Sequence, residues 1–119
     1  MAELSTREPT APSALDCSTD IATLDGFDRI GLALADPIRR GILLRLLDGP
    51  CRPSELAEAI GTSRSSLSNH LACLRGCGLI SATRCGRHVD YELTSLRLAD
   101  ALRSLVAVAT DLPDCERHT

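Results

Sequence analysis

The sequence predicts a mainly α-helical domain that carries one small β-hairpin. The 119-residue chain has only two aromatic residues, Phe27 and Tyr91, so its core must be built from Leu, Ile, Val and Ala. That composition favours packed helices over an all-β fold, and the length suits one domain with a single core. Apolar residues recur at helical spacing over most of the chain, and one stretch around residue 90 alternates with a period of two.

The chain divides by composition into an arm, a domain and a tail. Residues 1–20 are rich in Pro, Ser, Thr and acidic residues and predict a mobile acidic N-terminal arm. Residues 21–112 predict the domain, and residues 113–119 a C-terminal tail. No apolar run approaches a membrane span and no signal-peptide core is present, so we expect a cytoplasmic protein without a membrane partner. Thiols stay reduced there, so the six cysteines are expected to be ligands, redox groups or packing residues.

The first two helices are indicated by apolar spacing and by helix boundary signals. A loose apolar pattern over residues 21–35 predicts the first helix. Asp36-Pro37 then begins the second, because Asp caps a helix N-terminus and Pro is favoured at the first helical position. Gly49-Pro50 ends it.

The next two helices predict a helix-turn-helix. Pro53 begins a short third helix, which Gly61 ends in a tight turn. Ser63 can cap the fourth helix, and Gly76 and Gly78 close it. In this fourth helix the apolar residues recur at spacings of four and three: Leu67, Leu71 and Leu74. Two short helices joined by a three-residue turn form a helix-turn-helix.

A hairpin and a last helix follow. The alternation in residues 88–93 predicts a strand, residues 79–84 are its predicted partner, and Cys85-Gly86 is predicted as the turn. After Ser95 one apolar stripe predicts a last helix, which Pro113 ends: Leu98, Leu102, Leu105, Val106, Ala109 and Leu112. A helix-turn-helix followed by such a hairpin is a winged helix-turn-helix, and it predicts double-stranded DNA as the partner.

The charge distribution agrees with contact to nucleic acid. The net charge is −3, but residues 29–97 hold ten Arg against six acidic residues, a net of +4. The fourth helix is expected to enter the major groove while the hairpin reaches phosphates beside it. The predicted DNA-binding residues of the helix are Arg64, Ser65, Ser66, Ser68, Asn69, His70 and Arg75, and those of the wing are Arg84, Arg87 and His88.

A homodimer is expected for a geometric reason. One winged helix covers too few base pairs for tight specific binding, whereas two related by a twofold axis read two half-sites. The apolar stripe of the last helix, with the helix that holds Leu24 to Leu34, is the predicted dimer surface. The alternative is that this stripe only closes the core of the monomer.

The cysteines predict a thiolate metal site. Cys73 and Cys77 lie four residues apart within the predicted recognition helix, and so on one face of it. Cys115 lies just beyond the Pro that ends the last helix, on a tail that could reach this helix. Three thiolates suit a soft ion such as Cd(II), Pb(II) or As(III). The alternative is that each Cys is a small packing residue. Cys17 and Cys51 are candidates for a second thiolate site.

Residues 29–93 resemble the ArsR/SmtB family of winged-helix metal-sensing repressors. The resemblance lies in residues 33–43 (ALADPIRRGIL), 65–71 (SSLSNHL) and 86–91 (GRHVDY). It implies a dimer that binds an operator without metal and releases it when metal binds.

Within that family, residues 68–79 are most similar to actinobacterial cadmium and lead sensors. This implies Cys73, Cys77 and Cys115 as the ligands. Cys17 and Cys51 are similar to cysteines of some actinobacterial arsenic sensors. The chain lacks the family's Cys-x-Cys pair and the His and acidic set of its zinc-type site, which makes Zn, Ni and Co less expected effectors.

Three functional hypotheses follow. The first is a repressor that releases its operator on binding Cd(II) or Pb(II) and so derepresses a metal efflux or detoxification gene. The second is an As(III)-responsive repressor that uses Cys17 and Cys51. The third is a thiol-redox or metal-buffering protein without a role at DNA. An enzyme is not expected, because no acid, base or nucleophile constellation lies on a pocket-forming scaffold.

Overall fold

The computed structural model describes the backbone of residues 17–114 and the side chains of residues 23–114. Within these residues the order of elements is helix, helix, helix, helix, hairpin, helix. Their bounds are α1 Cys17–Ala35, α2 Pro37–Arg45, α3 Pro53–Ile60, α4 Arg64–Gly76, β1 Ile80–Cys85, β2 His88–Leu93 and α5 Leu96–Asp111. This arrangement confirms the mainly helical fold with one hairpin. No helix in the described part of the chain is both long and apolar enough to cross a membrane.

Helix α1 begins earlier than the sequence predicted. It starts at Cys17, four residues inside the segment expected to be an arm. The early residues are Ser18, Thr19 and Asp20, and polar or acidic side chains are favoured in a first helical turn, where backbone N–H groups lack partners. The polar composition of residues 17–20, which predicted an arm, is therefore also compatible with the start of a helix. The remainder of the predicted arm, residues 1–16, lies outside the described residues.

The described chain divides after Leu32 into two compact units, the first ending in α1 and the second running from Ala33 onward. In the first unit, α1 leaves three large apolar side chains exposed: Leu24, Phe27 and Leu32.

Asp36 caps α2 as the sequence predicted. Its Oδ1 accepts hydrogen bonds from the backbone N–H groups of Ile38 at 2.8 Å and Arg39 at 3.2 Å. The Arg39 bond above all, with smaller contributions from the Ile38 bond and from His70, holds the pKa of Asp36 below its ordinary value. The predicted stop at Gly49 is also observed, after the short 3-10 helix Leu46–Asp48.

The helix-turn-helix forms from the residues that predicted it. Gly61 ends α3 with a φ of 79°, a left-handed conformation that glycine adopts without strain. Ser63 Oγ then accepts from the N–H of Ser66 at 3.1 Å and caps α4. The leucines that recur along α4 are almost completely buried: Leu67, Leu71 and Leu74. They fix which face of α4 turns inward and which faces outward.

The wing is an antiparallel hairpin whose turn lies one residue later than predicted. Cys85 pairs with His88, so the loop is Gly86-Arg87 and the predicted Cys85-Gly86 turn was wrong. Gly86 has a φ of 64° and occupies the first loop position, which leaves Cys85 to end β1.

Two backbone hydrogen bonds also join Cys51 to Tyr91 in β2: Tyr91 N donates to Cys51 O at 2.8 Å, and Cys51 N donates to Tyr91 O at 3.0 Å.

Only the first half of the α5 stripe closes the core. Ser95 caps the helix by accepting from Leu98 N at 3.1 Å, and Ala99 and Leu102 are buried. The large apolar residues that follow are exposed: Leu105, Val106, Val108 and Leu112. The described monomer therefore leaves exposed the second half of the stripe that the sequence predicted for the dimer surface.

A leucine comparison tests the packing of α4. Leu67 is 1% exposed and Leu96 is 82% exposed. We expect Leu67→Ala to lower the free energy of unfolding by about 2–5 kcal/mol, because it leaves a cavity in the core. Leu96→Ala, the matched control, should change it by about 0.5 kcal/mol or less. Urea denaturation followed by circular dichroism measures both, and equal losses would contradict the packing described.

Candidate nucleic-acid interface and thiol site

Helix α4 presents a polar face opposite its buried leucines. Four of the predicted DNA-binding residues on this helix are exposed there: Arg64, Ser65, Ser68 and Asn69. Ser66 is half-buried, next to the capping Ser63. His70 is also half-buried, with its Nδ1 at 3.9 Å from Oδ2 of Asp36. The first turns of α4 thus offer short polar side chains and one Arg, which suit base edges and phosphates.

The basic residues outside the first turns of α4 are also accessible. Arg75 is exposed in its last turn. In the wing, Arg84 lies near the end of β1, Arg87 in the turn and His88 at the start of β2, and all three are exposed. Exposed arginines near both ends of α4 and in the wing can contact phosphates on either side of a groove.

The thiol pair lies at the C-terminal end of α4. Cys73 is in the last turn, and Cys77 is the residue that caps the helix. The N–H of Cys77 donates to the carbonyl of Cys73 at 3.0 Å, so the helical repeat continues through both residues. Residues related in this way lie on one face. Cys73 is exposed and Cys77 is half-buried, so the pair is open to an incoming ion.

The sulfur of Cys73 contacts a second helix. Arg39 in α2 donates from Nη1 to Cys73 Sγ at 3.4 Å, across 34 positions of sequence. Arg39 also lies 3.6 Å from Asp36, measured from Nη2 to Oδ2. Sequence reasoning missed Arg39 as a neighbour of this site. The pairing of Asp36 with Arg39, three positions later in one helix, was foreseeable, but the packing of α2 on α4 was not.

Two thiols on one face fit a soft metal ion, and the predicted Cd(II) or Pb(II) site calls for a third thiolate beside them. Among the side chains that the structure describes, no three His, Cys, Asp or Glu groups lie close enough to hold an ion together. Cys115, the predicted third ligand, lies outside the described residues. Its part in the site therefore stays a prediction.

Cys51 occupies a different environment. Its thiol is buried and donates to Oε1 of Glu55 at 3.6 Å. Burial first, and the Glu55 carboxylate second, raise the pKa of Cys51. Glu55 also accepts from the N–H of Arg52 at 3.0 Å, and this bond lowers the pKa of Glu55. The side chain of Cys17 lies outside the described residues, so pairing of Cys17 with Cys51 stays a prediction.

Cys85 also has a carboxylate neighbour. Its Sγ donates to Oδ2 of Asp90 at 3.4 Å across the hairpin, and this bond raises the pKa of the thiol. Its half-buried strand position places Cys85 in the wing, apart from the thiol pair of α4.

Comparison with known proteins assigns the family. The family model for bacterial regulatory proteins of the arsR family matches residues 36–82, which span α2 to the start of β1. The HTH-type transcriptional regulator CmtR of Mycobacterium tuberculosis is 56% identical over 89 residues, which are 71% of this chain and 75% of that protein. The chain is an arsR-family regulatory protein.

Solved structures agree with the assignment of this arsR-family protein. The NMR structure of the cadmium metal-sensor CMTR from M. tuberculosis is 54% identical, has a TM-score of 0.60 and covers 76% of this chain and 99% of its own. The homodimeric winged helix-turn-helix DNA-binding domain of Mb0332 from Mycobacterium bovis, a possible ArsR-family regulator, is 29% identical with a TM-score of 0.75. It covers 90% of this chain and 100% of its own.

The family assignment confirms two predictions from the sequence. The arsR-family protein has the winged helix-turn-helix fold, and it is a DNA-binding transcriptional regulator rather than an enzyme. A thiol-redox or metal-buffering protein without a role at DNA is accordingly not supported. The individual DNA and metal contacts stay predictions.

Thiol reactivity tests the contrast between Cys73 and Cys51. In the folded, reduced protein we expect iodoacetamide to modify the exposed Cys73 faster than the buried Cys51. The thiolate is the form that reacts, and the pKa of Cys51 is raised. Its rate of modification should therefore rise only at a pH higher than an ordinary thiol requires. Peptide mass spectrometry over a pH series measures both rates, with urea-unfolded protein as the control in which they converge. Rapid modification of Cys51 at neutral pH in the folded protein would contradict this environment.

Proposed function

We propose that this arsR-family protein is a homodimeric repressor that releases its operator when Cys73, Cys77 and Cys115 bind Cd(II) or Pb(II). Release would derepress a metal efflux or detoxification gene, in the cytoplasm. One observation carries the proposal: the thiol pair belongs to the last turn and cap of the helix that presents the DNA-reading face. The similarity to a protein described as a cadmium metal-sensor supports a metal effector.

Dimerisation is supported by apolar surface that the monomer leaves open. An apolar groove of about 300 Å³ lies between α2 and α5, and its lining includes Leu44, Leu102 and Leu112. Leu112 is 63% exposed, and Phe27 of α1 is 66% exposed. Apolar side chains of this size are costly to leave in water, so a second copy of the chain is the proposed partner of these surfaces. The homodimeric state of the Mb0332 domain agrees with this.

The proposed mechanism is linkage between two ligands of one helix. Without metal, α4 can seat its exposed polar face in the major groove. Once Cys73 and Cys77 share an ion with Cys115, the tail is tied to the end of α4 and the DNA-bound arrangement is disfavoured. Couplings of about 1–3 kcal/mol per site are usual. Changing the ratio of DNA-binding to released protein from 99:1 to 1:99 needs about 5.5 kcal/mol. Two sites per dimer supply this at the upper end of the coupling range.

The proposed site also predicts a pH effect. A thiol must lose its proton to bind the ion, so up to three protons leave when Cys73, Cys77 and Cys115 bind it. Metal affinity should therefore increase with pH.

As(III) is the alternative effector. Cys51 is a poor first choice for it, because its thiol is buried and hydrogen-bonded to Glu55. An As(III) response through Cys17 and Cys51 would require that bond to break.

Operator release tests the metal proposal. We expect Cys73→Ser to retain binding to DNA from upstream of its own gene, measured by fluorescence anisotropy, but to lose release by Cd(II) or Pb(II). Cys85→Ser is the control, because that thiol lies in the wing. Release by As(III) that Cys17→Ser abolishes and Cys73→Ser leaves intact would favour the alternative effector. Release of Cys73→Ser by Cd(II) at the wild-type concentration would contradict the proposal.

Salt dependence tests the DNA face. Arg87→Ala in the wing turn should weaken operator binding and reduce the slope of log affinity against log salt by about 1, as expected for the loss of one phosphate contact. Arg97→Ala, an exposed arginine of α5, is the control and should leave the slope unchanged. An unchanged slope for Arg87→Ala would contradict a phosphate contact by the wing turn.

A further inference from the structure

The contact between Arg39 and Cys73 joins α2 to the helix that carries the thiol pair. The donor is a guanidinium, which cannot lose its proton in a protein, and the acceptor is a sulfur at 3.4 Å. A fixed positive charge therefore stands beside one of the proposed metal ligands. The neighbouring Arg40 is directed elsewhere, with its Nη1 donating to the carbonyl of Leu34 at 2.9 Å.

Arg39 is held in place from its other side. Asp36 anchors it twice, through the N–H bond at 3.2 Å and through the carboxylate at 3.6 Å from Nη2. The same carboxylate lies 3.9 Å from Nδ1 of His70, one turn before Cys73 on α4. Asp36, Arg39, His70 and Cys73 thus form a continuous polar cluster, the α2–α4 cluster, from the first turn of α2 to one face of α4.

The packing of Arg39 is strained in one respect. Its Nε is buried and has no hydrogen-bond partner among the described residues. A buried donor without a partner costs free energy. The hydrogen bond to Cys73 and the ion pair with Asp36, made by the two terminal nitrogens, offset that cost. The Arg39 side chain is 24% exposed, and it reaches the exposed sulfur of Cys73 from a position that Asp36 fixes.

We propose that Arg39 is a positioning residue for the metal site, which holds the Cys73 sulfur by hydrogen bonding and stabilises the negative charge that the thiolates bring to a bound ion. This inference rests on the proposed function, because it takes Cys73 as a ligand. The Cys73 thiolate brings a negative charge to the ion, and a guanidinium donor on its sulfur offsets part of that charge. Residues that hydrogen-bond a metal ligand typically contribute about 10–100-fold to metal affinity.

A double-mutant cycle tests this inference. Cd(II) affinity is measured on reduced protein without DNA, by competition with a chelator and by the ultraviolet absorption of thiolate-bound cadmium. We expect Arg39→Gln to weaken Cd(II) binding about 10–100-fold in the wild-type background. In the Cys73→Ser background the same substitution should have no further effect, because the sulfur that it acts on is gone.

Two further variants separate positioning from folding. Arg40→Gln, the matched control, should bind Cd(II) as the wild type does. Arg39→Lys keeps the charge and should recover part of the lost affinity, and it replaces Arg39→Gln if thermal unfolding shows that the latter does not fold.

The inference is overturned if Arg39→Gln binds Cd(II) as tightly as the wild type, or if it weakens binding equally with and without Cys73. A wild type that binds Cd(II) but keeps its operator would overturn the proposed function and leave the role of Arg39 standing.

Discussion

The burial of one side of α4 is the constraint on which the rest of the structure depends. Leu67, Leu71 and Leu74 recur at spacings of four and three, and each is at most 3% exposed. Because a helix has a fixed period, the burial of this face also determines which residues face solvent and which face α2. Arg64, Ser65, Ser68 and Asn69 face solvent, whereas His70 and Cys73 meet the first turn of α2. The burial of these leucines therefore sets the positions of the proposed DNA-reading face and the proposed thiol site together.

In the proposed mechanism, this arrangement lets two binding partners of different chemistry, DNA and a soft ion, bind to one short rigid helix, α4. The operator would contact the start of α4, and a soft ion would bind at its end, about twelve residues or some 18 Å along the helix axis. No long pathway is needed to couple them, since any movement that the thiols impose on the end of α4 is a movement of the reading face as well. The α2–α4 cluster adds a contact from outside the helix. Through Asp36, the cap of α2 and the surroundings of Cys73 share one carboxylate.

Local signals in the sequence predicted much of the fold, and tertiary features accounted for what they missed. The predicted caps Asp36 and Ser63 form because each depends only on residues two or three positions away. The hairpin turn was placed one residue early, because the strand pattern does not say whether Cys85 belongs to the strand or the loop. The thiol pair was found from its spacing, but the guanidinium facing it was not, since the packing of α2 on α4 leaves no periodic trace.

If operator and metal oppose each other through the same helix, linkage makes the opposition measurable from the metal side. Cd(II) affinity would be determined by chelator competition for the free dimer and for the dimer saturated with operator DNA at one salt concentration. We expect DNA to weaken Cd(II) binding by the same factor by which Cd(II) weakens DNA binding. Equal Cd(II) affinity in the two states would contradict it.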